Sequence, residues 1–128
     1  MNVVFDAGAL RAFPAQPARL QELLRRGLWP AQVPSVVLTE ALTGDHRRDF
    51  PVDRLLRACQ VRSVDEVLAR RAARLRTATG RAGAISAVDA VVVALAEALG
   101  GGWVFTSDPR DLRALADLAA SPITVVAV

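Results

Sequence analysis

Short apolar runs alternate along this chain with stretches that carry apolar residues at helical spacing. The runs Asn2–Phe5, Trp103–Thr106 and Ile123–Val126 are rich in β-branched and aromatic residues and predict buried strands. Between them, Ala18–Arg26 and Ser86–Leu99 have the pattern of helices that pack against a core. The alternation predicts an α/β fold in which a parallel sheet is covered by helices on both faces.

Shorter elements continue the alternation through the middle of the chain. Gln32–Pro34 and Gln60–Arg62 predict two short strands. Ser35 is expected to cap a helix that ends at Gly44, and a further helix is expected over Val52–Cys59.

Two more helices are predicted from their N-terminal signals. Ser63 is expected to cap a long helix, because Glu66 stands three residues later at the capping-box position. A glycine-containing loop over Gly80–Gly83 ends that helix. Near the C-terminus, Asp108 and Pro109 are expected to open a last helix, since proline is favoured in a first turn.

Length and composition indicate one domain, residues 1–128, with no linker or internal repeat. The chain has 128 residues, of which 52% are hydrophobic, enough for one buried core. The longest apolar stretch, Ala87–Leu99, is interrupted by two acids and is shorter than the roughly 20 residues of a membrane-spanning helix. The N-terminal segment MNVVFDAGAL has neither a basic region nor a small-residue cleavage site, so we expect no export signal there. The single Cys59 forms no disulfide framework and is interpreted as a small buried hydrophobe on a helix. We therefore expect a cytoplasmic protein.

The charged residues narrow the chemistry. All 16 basic residues are arginine, and without lysine the chain has no phosphate-loop lysine, no Schiff base and no receiver-domain site. The net charge of +3 favours a polyanionic partner, although a GC-rich genome would produce the same arginine excess. His46 is the only histidine, so a zinc cluster or a Ser-His-Asp triad is not indicated. We interpret it as a surface-loop residue.

Several acids fall where a parallel sheet places its binding sites, beyond the carboxyl ends of the strands. Asp6 directly follows the first strand, and Asp108 follows Thr106 by two residues. Asp89 lies in the first turn of an otherwise apolar helix, where an unpaired carboxylate is costly. Glu40 lies within a predicted helix.

Each acid also has a simpler interpretation. Asp6 and Asp108 would serve as helix caps, Asp89 would pair with an arginine, and Glu40 would be solvated. Asp111 could belong to the site or to the solvent. Together, however, four acids at one sheet edge repel each other unless a cation holds them, and such oxygen ligands select Mg²⁺ or Mn²⁺. Phosphodiester hydrolysis is the chemistry that uses such a cluster.

Three segments resemble the PIN-domain ribonucleases, in particular the VapC-type toxins of bacterial toxin–antitoxin pairs. They are VVFDAGAL, VPSVVLTEAL and SAVDAVVVALAEALGGGWVFTSDPRDLRAL, and the resemblance extends over nearly the whole chain. Residue by residue, the resemblance implies that the acidic quartet consists of Asp6, Glu40, Asp89 and Asp108, with Thr106 as a nearby hydroxyl. One position departs from the pattern. Many relatives have Ser or Thr two residues after the first acid, where this chain has Gly8, so the help of a hydroxyl there is expected to be lost.

The resemblance further implies about five parallel strands, a Mg²⁺-dependent endoribonuclease, a homodimer and inhibition by a small antitoxin. Arginines beside the cleft would contact RNA, and we predict this role for Arg11, Arg47 and Arg48. The segments Ala18–Leu24 and Val36–Leu42 are predicted docking surfaces for the partner, whose basic side chain would enter the carboxylate site.

Two alternatives compete with a PIN nuclease. A haloacid-dehalogenase-like phosphatase requires a second Asp where this chain has Gly8, which disfavours that class. A non-catalytic PIN-like module that binds RNA or protein remains the main alternative, and metal binding would distinguish it from a nuclease.

Overall fold

A computed structural model describes all 128 residues and contains one five-stranded parallel sheet and seven α-helices. The strands are β1 (Asn2–Phe5), β2 (Gln32–Pro34), β3 (Gln60–Arg62), β4 (Gly102–Thr106) and β5 (Ile123–Ala127). The helices are α1 (Ala7–Ala12), α2 (Pro17–Arg25), α3 (Leu38–Ala41), α4 (His46–Leu56), α5 (Glu66–Ala78), α6 (Ala87–Ala98) and α7 (Pro109–Ala116). Two 3₁₀ turns, Phe13–Ala15 and Ser35–Val37, precede α2 and α3. None of the helices has both the length and the apolar composition needed to cross a membrane.

The sheet has the strand order β3-β2-β1-β4-β5, and every neighbouring pair is parallel. In the central strand β1, the consecutive residues Val3, Val4 and Phe5 are all buried. Because successive side chains of a strand point to opposite faces, helices must cover both faces of this strand. The predicted fold class and the predicted covering of the sheet are therefore confirmed.

An aromatic cluster forms the part of the core next to the strand ends. The rings of Phe5 and Phe13 stack with centroids 4.7 Å apart, and Phe105 meets both rings edge-on at 5.7 and 5.5 Å. Edge-to-face and offset-stacked rings are favourable beyond their buried area. The cluster joins β1, β4 and the turn after α1, which are the segments that carry the first and last predicted acids.

Two of the predicted helix caps, Ser63 and Ser35, are wrong. The cap of α5 is Asp65, whose carboxylate accepts the Leu68 N–H at 2.8 Å, and not Ser63. The hydroxyl of Ser35 does not cap a helix either, because it accepts the Val64 N–H at 3.3 Å. This bond joins the turn after β2 to the turn before α5.

Two further local predictions are wrong. The helix α4 begins at His46, well before the predicted Val52, because Asp45 accepts the N–H groups of residues 47 and 48 at 2.9 and 3.1 Å. His46 is therefore an exposed helical residue, not a loop residue. Cys59 lies after the end of α4, half-buried against the core, and burial raises the pKa of its thiol to about 12.

The remaining boundaries lie near the predicted ones, with two exceptions. The helix α3 ends at Ala41, earlier than the predicted Gly44, because Leu42 is extended. The helix α1 has no counterpart among the predicted elements. It begins one residue after Asp6, so the first acid lies at a helix N-terminus as well as at a strand end.

Candidate metal site

The in-register pairing of β1 with β4 brings two of the predicted acids to one edge of the sheet. Phe5 lies opposite Phe105, and the Asp6 N–H donates to the Phe105 carbonyl at 3.3 Å. The residues that follow β4 therefore leave the sheet beside Asp6. Thr106 ends β4, and its Oγ1 accepts the Asp108 N–H at 3.0 Å, which fixes the turn that carries the second acid.

Asp6 caps a helix and belongs to the acidic cluster at the same time. Its Oδ1 accepts the Ala9 N–H at 2.9 Å, and the side chain is only 8% exposed. Burial raises the pKa of this carboxyl, while hydrogen bonds with the Thr106 hydroxyl and the N–H groups of α1, together with the charge of Arg11, act to lower it. The cap interpretation and the site interpretation thus apply to the same residue.

Asp89 is the centre of the cluster. It lies half-buried in the first turn of α6, whose Val92 and Val93 are fully buried. Desolvation, together with the negative charges of four other acids, raises the pKa of Asp89 to about 6. In order of effect, these acids are Asp6, Glu40, Asp111 and Asp108. The fold therefore brings all four predicted acids, and Asp111, within electrostatic reach of one another.

The two outer acids are more accessible. Glu40 is exposed on the short helix α3, and its backbone carbonyl accepts a hydrogen bond from Arg11 Nη1 at 2.9 Å, which ties α3 to α1. Asp108 is exposed at the N-cap position of α7 and makes no side-chain capping bond. Asp108 therefore lies at the N-cap position that the sequence predicted, but its carboxylate makes no capping bond and is available for another ligand.

One arginine beside the cluster was not predicted. Arg81, in the loop before α6, pairs with Asp111 at 3.3 Å. No arginine forms an ion pair with Asp6, Glu40, Asp89 or Asp108. Arg81 could not be found from the sequence, because 30 residues separate it from its partner and only the packing of two loops brings them together.

The predicted RNA-binding arginines are placed differently from one another. Arg11 contacts the cluster through the carbonyl of Glu40 and the charge of Asp6. Arg47 and Arg48 are exposed in the first turn of α4, and no contact of their guanidinium groups with the carboxylates is present. Their proposed role in RNA binding stays a prediction.

The donor set fits a hydrated Mg²⁺ or Mn²⁺ ion. No three His, Cys, Asp or Glu side chains stand close enough together to hold one ion between them. Mg²⁺, however, usually keeps several waters and is bound directly by only one or two carboxylates. Mutually repelling carboxylates without guanidinium partners, two of them exposed, meet this requirement.

Comparison with known proteins places the chain in a family. Residues 14–118 match the PIN domain sequence family, a range that includes Glu40, Asp89 and Asp108 and begins after Asp6. The chain belongs to the PIN-domain family. No curated protein matches the chain in sequence.

Solved structures share the fold of this PIN domain at low sequence identity. One is a chain of VapBC2 from Rickettsia felis, in a complex with a DNA fragment from the promoter. It is 14% identical to this chain with a TM-score of 0.71, and the alignment covers 98% of this chain and 99% of that chain. A chain of DNA-bound VapBC from Salmonella typhimurium is 15% identical to this chain with a TM-score of 0.70. The alignment covers 99% of this chain and 98% of that chain. A chain of VapBC-1 from nontypeable Haemophilus influenzae is 11% identical with a TM-score of 0.68, covering 98% of each.

The electrostatics of Asp89 predict how stability depends on pH in metal-free buffer. The pKa of Asp89 in the folded protein, about 6, is above its ordinary value of 3.8. The folded protein thus holds this proton more tightly than the unfolded chain, so the free energy of unfolding falls as pH rises from about 4 to about 6. We expect Asp89→Asn to be more stable than the parent at pH 7, by about 1 to 2 kcal/mol after allowance for solvent screening.

Urea denaturation in EDTA at pH 4 and pH 7 measures this difference. The gain of Asp89→Asn should be present at pH 7 and absent at pH 4. Asp53→Asn, which removes a carboxylate from the middle of α4, is the control and should not show this pattern. A loss of stability in Asp89→Asn at pH 7 would mean that the carboxylate has a stabilising partner.

Proposed function

We propose that this PIN domain is a divalent-metal-dependent endoribonuclease in which Asp6, Glu40, Asp89 and Asp108 surround a hydrated ion, one or two of them binding it directly and the others through water. The observation that supports the proposal most directly is the convergence of these acids on Asp89 from four separate elements of the chain. Such a cluster is costly to the fold unless a cation binds to it. Family membership agrees with this reading, because PIN domains are typically nucleases.

Each side chain has a part in this proposal. Mg²⁺ or Mn²⁺ would activate a water and stabilise the negative charge of the phosphodiester during hydrolysis. Asp6 and Asp89, which are held by α1, Thr106 and α6, would provide the fixed part of the site. Glu40 and Asp108 are exposed and would complete it from the solvent side. Asp111 belongs to the rim, where its charge is shared with Arg81.

Divalent-dependent RNA cleavage is the first expected activity. Asp6→Asn and Asp89→Asn should each abolish cleavage while the circular dichroism spectrum stays that of the parent, because the substitution keeps the shape and removes the charge that holds the ion. Cleavage should also stop in EDTA and return with Mg²⁺ or Mn²⁺. Asp53→Asn serves as the matched control and should cleave normally.

The same experiment tests the alternative of a non-catalytic PIN-like module. Isothermal titration with Mg²⁺ accompanies the cleavage assay. Undiminished cleavage in EDTA, or an active Asp89→Asn variant, contradicts the metal mechanism. Absence of both cleavage and Mg²⁺ binding favours the binding module.

Arginines around the cleft are proposed to hold the RNA backbone. Neutralising an arginine that contacts a phosphate should lower the salt dependence of single-stranded RNA binding by roughly 0.7 in the logarithmic slope. We expect this change for Arg11→Ala, Arg47→Ala and Arg48→Ala, measured by fluorescence anisotropy at several salt concentrations. Arg70→Ala is the control, because Arg70 is an exposed residue already paired with Glu66. If the three variants have the same affinity and salt slope as this control, Arg11, Arg47 and Arg48 do not contact RNA phosphates.

We further propose that the protein is the toxin of a cytoplasmic toxin–antitoxin pair and that it forms a homodimer. The similar structures described above are VapBC complexes, two of them bound to DNA. The partner would be a small antitoxin that inserts an arginine among the carboxylates. A guanidinium fits carboxylate oxygens with paired hydrogen bonds and would compete directly with Mg²⁺.

An apolar groove offers a place for the rest of this partner. It has a volume of about 560 Å³ and lies between α2 and α4, with Leu20, Leu24, Trp29 and Phe50 in its lining. Leu24 and Phe50 are each 55% exposed, so the groove is open. Of the two predicted docking segments, Ala18–Leu24 therefore contributes to an open surface. The other, Val36–Leu42, places Val37 and Ala41 in the core.

Inhibition by the partner should weaken as Mg²⁺ increases, because arginine and metal would compete for the same carboxylates. Co-purification from the native host, followed by Mg²⁺ titration of the complex, measures this competition. We expect a dimer with a bound small protein, and cleavage that returns at high Mg²⁺. A monomer without a partner, whose overexpression neither slows growth nor cleaves cellular RNA, would contradict the toxin proposal.

A further inference from the structure

Gly8 and Ser107 share one side-chain volume at the edge of the sheet. A Cβ atom added to Gly8 would lie 2.0 Å from Ser107 Oγ and 2.8 Å from Ser107 Cβ. Both distances are far shorter than any ordinary contact between non-bonded atoms. The side chain of Ser107 therefore fills the space that a side chain at position 8 would occupy, and only glycine at position 8 admits it.

This shared volume lies at the carboxylate site. Gly8 lies in the first turn of α1, next to the Ala9 N–H that Asp6 Oδ1 accepts at 2.9 Å, so Ser107 packs against the backbone turn that holds the first acid. Its neighbours in sequence are Thr106, which hydrogen-bonds Asp6, and Asp108. Ser107 is itself an exposed residue at the carboxyl end of β4, beside this turn.

We propose that Ser107 is a positioning residue whose hydroxyl donates a hydrogen bond to a phosphate oxygen of bound RNA beside Asp6. The family resemblance implied that Gly8 leaves this turn without a hydroxyl, and the contact of Ser107 with Gly8 brings one there from the end of β4. A hydroxyl is a suitable donor because it adds no negative charge to a crowded acidic site. The proposal rests on the nuclease function proposed above.

A double substitution tests the shared volume without metal or RNA. Urea denaturation in EDTA compares the parent, Gly8→Ser, Ser107→Gly and Gly8→Ser/Ser107→Gly. Gly8→Ser alone should lower the midpoint clearly, because its side chain overlaps Ser107. The double variant should recover most of that loss, but not all, since the Ser107 backbone nitrogen would still lie 3.0 Å from the new Cβ. Simple addition of the two single effects would overturn the shared volume.

Cleavage and binding assays test the hydroxyl itself. Ser107→Ala keeps the Cβ and removes only the hydroxyl, so kcat/KM should fall about tenfold, as for one lost hydrogen bond. The double variant carries a hydroxyl at position 8 and should cleave better than Ser107→Ala. Ser63→Ala, at an exposed serine far along the chain, should cleave as the parent does.

These outcomes separate the inference from the nuclease proposal. If the parent cleaves RNA and Ser107→Ala cleaves equally well, Ser107 has no such role while the nuclease function stands. If the parent does not cleave RNA, the nuclease proposal fails, and the affinity for RNA in EDTA tests the role of Ser107 separately. Weaker binding by Ser107→Ala than by Ser63→Ala supports the hydrogen bond, and equal binding overturns it.

Discussion

The alignment of β1 with β4 is the constraint on which the acidic site depends. With Phe5 opposite Phe105, both strands end at the same level, and Asp6 begins α1 where the turn after Thr106 begins. A shift of one residue would turn every side chain of β4 to the other face. It would remove the Thr106 hydroxyl from Asp6. The stacked and edge-on rings of the two phenylalanines and Phe13 oppose such a shift, so the core fixes the geometry of the site.

The clustered carboxylates reduce the stability of the folded protein. Burial and four neighbouring negative charges all raise the pKa of Asp89, so its ionised form opposes folding at neutral pH. A cation that enters the cluster relieves this repulsion and binds the folded state only. Its binding energy is therefore also a gain in stability. Because the repulsion is electrostatic, a metal ion and a guanidinium can both relieve it, so under the proposed function activity and inhibition would be competing states of one site.

The sequence predicted the five strands well because strands depend on local pattern. The predicted strands lie within a residue of the observed ones, and Asp6 and Asp108 were recognisable as candidates because they follow strand ends. Caps were harder to predict, since Ser63 and Asp65 are equally good candidates. In the fold, Asp65 accepts the Leu68 N–H and caps the helix, while Ser63 is exposed two residues before it.

Contacts between loops explain what the sequence could not predict at the site. Arg81 pairs with Asp111, which is 30 residues later in the sequence. Ser107 fills the space beside Gly8, which lies about 100 residues earlier. Neither pair has a spacing that a pattern would reveal, because both form only after the sheet and its helices have packed. The family pattern implied that Gly8 removes a hydroxyl from the site, whereas in the fold Gly8 makes room for the side chain of Ser107.

A chain with 16 arginines also has to keep them away from its own carboxylates. The two arginines nearest the cluster are both held at its rim. Arg11 donates to the carbonyl of Glu40 at 2.9 Å, and Arg81 pairs with Asp111 at 3.3 Å. A guanidinium of this chain between Asp6 and Asp89 would neutralise them permanently and exclude a metal ion. Because the rim groups hold both arginines, the inner carboxylates stay without a partner, and their charge remains available to a cation from outside the chain.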